Sequence, residues 1–213
     1  MKTKSKALLL TLCAALLVAA SVLGTMAYLT DTETVTNTFT VGKVKIDLDE
    51  AKVNPDGSLV EGAARVKANS YKLLPGHTYN KDPMVTVLNG SEASYIKMTV
   101  TFSEASALDA IFAPTGADLI SIFNGYNSAN WIYKDNTKDA TADTRTYEFW
   151  YKETVGAPTA DVALDALFDS ITVPGTITKE QLATIKGMTI TVNAYAIQAD
   201  GFANAEAAWV AFN

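Results

Sequence analysis

Tyr95-Ile96-Lys97-Met98-Thr99-Val100-Thr101-Phe102 places Ile96, Met98, Val100 and Phe102 on one side and Lys97, Thr99 and Thr101 on the other. Alternation with a period of two is the mark of a strand with one face in a core and one in water. The segments around it read the same way. Upstream, residues 84–88 are a short apolar strand. Downstream, Trp131-Ile132-Tyr133 and residues 146–151 form a further pair, separated by a polar, turn-rich stretch over 134–145. Residues 188–192 alternate again and run into Asn193-Ala194-Tyr195-Ala196-Ile197. Asn54-Pro55-Asp56-Gly57 is a turn signal, because Pro presets φ and Gly accepts a positive φ. Helices are few. They are expected over 103–112, over 159–171 with Leu164, Leu167, Phe168 and Ile171 at helical spacing, and after Thr178. There Gln181, three residues later, completes a capping box, and Gly187 can end the helix. Many short strands with loop helices predict a mainly β domain, an antiparallel two-sheet sandwich such as a jelly roll. No repeat, long linker or heptad run divides it, so one domain is expected over 28–213.

The alternation changes phase in residues 34–49. Val35, Phe39 and Val41 are apolar at odd positions, and Val44, Ile46 and Leu48 at even ones. The switch falls at Gly42-Lys43. A shift of one residue turns every later side chain to the opposite face, and glycine is where a strand bulges or bends. Two readings follow: one strand with a bulge, or two strands joined by a hinge at Gly42, the first free to pair elsewhere.

Residues 1–27 read as an export signal. Lys2, Lys4 and Lys6 form a basic start, residues 7–23 an apolar stretch, and Thr25-Met26-Ala27 a small-x-small site before Asp31 and Glu33. Cleavage is expected between Ala27 and Tyr28. An uncleaved membrane anchor is the other reading, since the apolar stretch approaches spanning length. Without residues 1–27 the chain carries 14 Lys+Arg against 23 Asp+Glu, a formal charge of −9, and no cysteine. An exported protein without cysteines suits a Gram-positive exterior.

Composition closes off several classes of function. In the whole chain of 213 residues, 48% are hydrophobic and the formal charge is −6, which excludes low-complexity disorder. A pI of about 4.8, with no Lys/Arg cluster after the first six residues, argues against nucleic acid as a partner. One Cys and one His cannot build a cysteine zinc site or a two-histidine metallopeptidase centre within one copy. His77 sits in the turn Leu74-Pro75-Gly76-His77-Thr78 and reads as a solvated residue. Asp135, Asp139 and Asp143 recur every four residues in a polar stretch and are the weak candidates for calcium. Asp47, Asp49 and Glu50 form a second acidic cluster. Neither matches an EF-hand loop, and both read as solvated charge. No catalytic residues and no cofactor are assigned.

Ala27-Tyr28-Leu29-Thr30-Asp31-Thr32-Glu33 and Thr36-Asn37-Thr38-Phe39-Thr40-Val41-Gly42 resemble the start of the TasA/camelysin family. Leu74-Pro75-Gly76 with Lys81-Asp82-Pro83, and Ala194-Tyr195-Ala196-Ile197-Gln198-Ala199-Asp200-Gly201-Phe202, are similar to later parts of it. The resemblance implies export with removal of the signal by the signal peptidase SipW, a jelly-roll domain, and a role as a secreted biofilm-matrix protein. It also implies head-to-tail fibres in which the N-terminal strand of one subunit completes the sheet of the next, with an accessory matrix protein as a possible further partner. Camelysin members have also been classed as metallopeptidases, an activity this chain's single histidine does not support. The residues fit strand donation on their own account. Residues 34–41 are β-branched, alternate and lack proline, with Val35, Phe39 and Val41 as the anchoring side chains and Gly42 as the hinge. A head-to-tail contact that does not close propagates as a filament. The expectation is a self-assembling extracellular fibre subunit. A surface metallo-endopeptidase and a monomeric adhesin or binding module are the alternatives.

Overall fold

The computed structural model describes residues 6, 11–16, 42–112 and 122–212. The chain divides into two units, Met1–Val41 and Gly42–Asn213, with the boundary at the residue where the alternation changes phase. In the first unit residues 11–16 are helical.

The second unit is mainly β, built from three antiparallel sheets and a few short helices. A four-stranded sheet has the order β5 (Trp131–Asp139), β6 (Thr144–Tyr151), β4 (Ser94–Ser103), β9 (Ile190–Gln198). β4 is central, and Ile96, Met98, Val100 and Phe102 are at most 1% exposed on its inner face, as their alternation predicts. A three-stranded sheet of β1 (Ile46–Asp49), β3 (Met84–Val87) and β7 (Val162–Ala163) contributes Val85 and Val87 to the same core. Ile46 and Leu48 pair with Val87 and Val85 and also pack inward, so the even phase of the 44–48 alternation belongs to this domain. β2 (Thr78–Asn80) and β8 (Ser170–Thr172) form a small third sheet. The helices are α1 (Ala105–Phe112), α2 (Lys179–Thr184) and α3 (Ala205–Phe212). Thr178 and Gln181 make the expected capping box on α2, which stops at Thr184, before Gly187. The turn at 54–57 closes with Gly57 N donating to Asn54 O at 2.9 Å and Gly57 at φ +87°.

Three expectations need correction. Residues 159–171 are not helical. Leu164, Leu167 and Phe168 are buried as their spacing suggests, but their backbone bonds go outward: Leu164 N to Val85 O at 2.8 Å, Leu167 N to Pro83 O at 3.0 Å. A short isolated helix is marginal, and the β3 edge offers better partners. The polar stretch 134–145 is not mostly turn. The β5–β6 ladder runs out to Asp139 opposite Thr144, with a register shift between Tyr133 and Asp135. Polar side chains there serve a hairpin arm pinned by Arg145, which donates to Asp109 of α1 at 3.0 and 2.8 Å. Lys97 is not on a solvated face. It is 4% exposed beneath α3, with its ammonium 4.8 Å from the Trp209 ring centre and 3.4 Å from the Glu148 carboxylate.

Candidate functional site

Among the described residues, β1 and β7 are the edges of the three-stranded sheet and β5 and β9 those of the four-stranded one. The far end of β1 is partly covered: Lys67 donates to Leu48 O at 2.7 Å, and Glu50 and Val66 exchange backbone bonds at 2.9 and 2.8 Å. β1 and β9 approach each other, and between them runs a groove of about 920 Å³. Its walls come from β1 and the start of β9, from residues 66–73, and from α2 with the 185–189 turn. The inward residues Ile46 and Leu48 of β1, and Ile190, Val192, Ala194 and Ala196 of β9, pack on the core yet stay only partly buried. Their counterparts on β3 and β4 are sealed. Among the described residues the core is sealed on the side of the central strands and only partly covered along this seam. Under the groove lies a further cavity of about 40 Å³, lined by apolar surface that includes Phe102, Leu108, Ile185 and Met188.

One end of the groove is polar and fully paired. Lys81 donates to Glu50 at 2.5 Å, both side chains being under 10% exposed, and Asn69 donates to the other Glu50 oxygen at 3.0 Å. Arg65 bridges Asp49 at 2.5 Å and Asp82 at 2.8 Å. Burial works against its charge, but the bonds to Asp82 and Asp49 prevail and hold its pKa above the ordinary value. Lys67 pairs with Asp47. Each carboxylate of the acidic cluster at 47–50 is therefore neutralised by a cation rather than standing as free, solvated charge. Tyr71 donates to Asn80 O at 3.1 Å; burial, then the negative charge of Glu50, pushes its phenol far above the usual range, so it stays a neutral donor. Five lysines line the groove against two carboxylates, and Lys72, Lys179 and Lys186 are exposed with no carboxylate partner among the described residues.

The residues singled out from the sequence fall as follows. Ala27, Tyr28, Val35, Phe39 and Val41 lie outside the described residues. Gly42 is exposed, and a Cβ there would meet the Glu92 side chain at 2.8 Å. His77 is exposed in its turn. Asp135, Asp139 and Asp143 are not gathered into a ligand set. Asp135 sits on β5 and accepts from Asn136 N at 2.7 Å; Asp139 accepts from Thr141 N and Ala142 N at 2.8 and 3.0 Å, bonds that hold its carboxyl below the usual value. Asp143 accepts from Ser106 N at 2.9 Å at the start of α1. Among the described residues no three His, Cys, Asp or Glu side chains are placed to hold a metal ion, and none of the described helices is long and apolar enough to cross a membrane. The groove lysines went unnoticed in the sequence because Lys72 and Lys179 are far apart in the chain, and nothing local marks them.

The chain matches no protein-family model, no curated protein and no solved structure.

Proposed function

We propose that this chain is a secreted structural subunit that assembles into extracellular fibres by strand donation, with the jelly-roll architecture and SipW-dependent export of the TasA/camelysin proteins it resembles. The observation that carries the reading is the open seam between β1 and β9. A strand laid there would gain main-chain hydrogen bonds from the edge of β9, and its alternate side chains would cover the partly buried apolar residues of β1 and β9. Residues 34–41 suit the role. In an extended strand Thr34, Thr36, Thr38 and Thr40 would fall on one face, and Val35, Asn37, Phe39 and Val41 on the other. Eight residues of strand reach about 26 Å, close to the length of the nine-residue β9. Donated to the next subunit, the segment extends a filament wherever the rotation between copies does not close a ring.

Removal of residues 28–41 is the test. The shortened chain should be secreted, folded by circular dichroism, and free of fibres in electron micrographs at concentrations where the full mature chain forms them. A shortened chain that unfolds would place the segment in its own core, and one that still forms fibres would move the contact elsewhere.

A further inference from the structure

We infer that Lys72, Lys179 and Lys186 form a cationic clamp that holds Asp31 and Glu33 of the segment arriving from a second copy of this chain, and so select and orient the donor. The inference rests on the strand-donation reading and adds the residues that would make it specific.

Charge is the argument. The mature chain carries −9, so two copies repel as they approach. The groove reverses that sign locally, with five lysines against Asp49 and Glu50. Lys67 and Lys81 are already used on Asp47 and Glu50. The other three extend from residues 66–73 and from α2 with its following turn, and no carboxylate answers them among the described residues. Residues 28–41 carry Asp31 and Glu33 and no basic residue. Both acids precede the apolar anchors Val35, Phe39 and Val41, so an incoming strand can seat its anchors on the floor while its leading end meets the lysines. Charge pairs at a rim act mainly on encounter rate and on the choice of register.

The test is a charge swap in the secreted protein, read by the rate of fibre growth with circular dichroism as the check on folding. Changing Lys72→Glu, Lys179→Glu and Lys186→Glu together should slow growth by at least about tenfold, as should Asp31→Lys with Glu33→Lys. Both sets in one chain should restore growth to within about threefold of wild type, because every contact then carries the reversed pair. Should the triple Glu variant lose its fold, the milder Lys72→Gln, Lys179→Gln, Lys186→Gln set takes its place, with slower growth still expected. If the lysine variants grow at the wild-type rate while deletion of residues 28–41 abolishes growth, strand donation stands and the clamp is wrong. If the deletion itself grows fibres, strand donation fails and takes the clamp with it. If the combined swap does not rescue, the lysines hold some other anion, such as an accessory protein or an acidic polymer, and the clamp is overturned.

Discussion

Asp109 joins α1 to the β5–β6 arm through one carboxylate, accepting from Arg145 at 3.0 and 2.8 Å and from Lys138 at 2.9 Å. Burial opposes its ionisation, but the bonds from Arg145 and Lys138 outweigh it and hold the carboxyl below the ordinary 3.8. The unfolded chain therefore takes up this proton first as the solution is acidified. The stabilisation is complete above the ordinary carboxylate value and fades as pH falls past it toward the lower folded value. Asp109→Asn should cost about 1 kcal/mol at neutral pH and progressively less as the pH falls below the ordinary carboxylate value, by urea midpoints at neutral and acid pH. A cost that persists in acid would assign the effect to packing instead of charge. At this scale the sequence is legible where a residue's own chemistry decides. The turn at Gly57 and the cap at Thr178 depend on φ and on a hydroxyl three residues from an amide. The partnership of Asp109 with Arg145 depends on two elements meeting, and no local pattern reports that.

Among the elements, α3 most changes the character of the sheet beneath it. It lays Trp209, 2% exposed, and Phe212 over the outer side of β4, with Trp209 and Trp150 ring centres 6.2 Å apart and Lys134 tied to Glu206 at 2.7 Å. The Lys97 ammonium lies over the Trp209, Phe212 and Tyr195 rings at 4.8, 5.4 and 5.5 Å, an arrangement that returns by cation–π attraction part of what burial costs. Trp209→Ala should cost about 3–5 kcal/mol, the usual figure for emptying a large aromatic site. Lys97→Met should also be less stable than wild type, because it leaves the Glu148 carboxylate, 33% exposed, without its cation and removes the charge that lies over the Trp209 ring. Urea unfolding of both variants decides it; a Trp209→Ala variant as stable as wild type would mean that α3 rests on the sheet without holding it. β4 and β9 were readable from their alternation and β3 from its apolar run, because each lays one face on the core. β2 and β8, three residues each, are too short to show a period. The 159–171 stretch showed a helical spacing that edge pairing overrode, and α3 left Lys97 looking solvated because the element that covers it lies more than a hundred residues away.

For the whole molecule, the two ends of the four-stranded sheet are treated differently. At β5 the edge carries Lys134 and Lys138 and a register shift at Tyr133/Asp135, devices that discourage another chain from pairing there. At β9 the first residues, Ile190, Thr191 and Val192, face the groove, which no described strand fills. Within this sheet, a guarded edge at one end and an open one at the other fit the strand-donation proposal, which needs one place for an incoming chain. A free peptide with the sequence of residues 30–42 should then compete for that place. At a hundredfold excess over its dissociation constant it should stabilise the domain by about 2.7 kcal/mol, raising the thermal midpoint while fibre growth stops. The same peptide with Val35→Asp and Phe39→Asp should do neither, because an unpaired carboxylate in an apolar site costs several kcal/mol. Its threonine face and its acids at 31 and 33 are unchanged, so the comparison isolates the anchors. Equal inhibition by both peptides would show that charge alone brings the segment to the domain, and no inhibition by either would show that the seam between β1 and β9 is not where copies join.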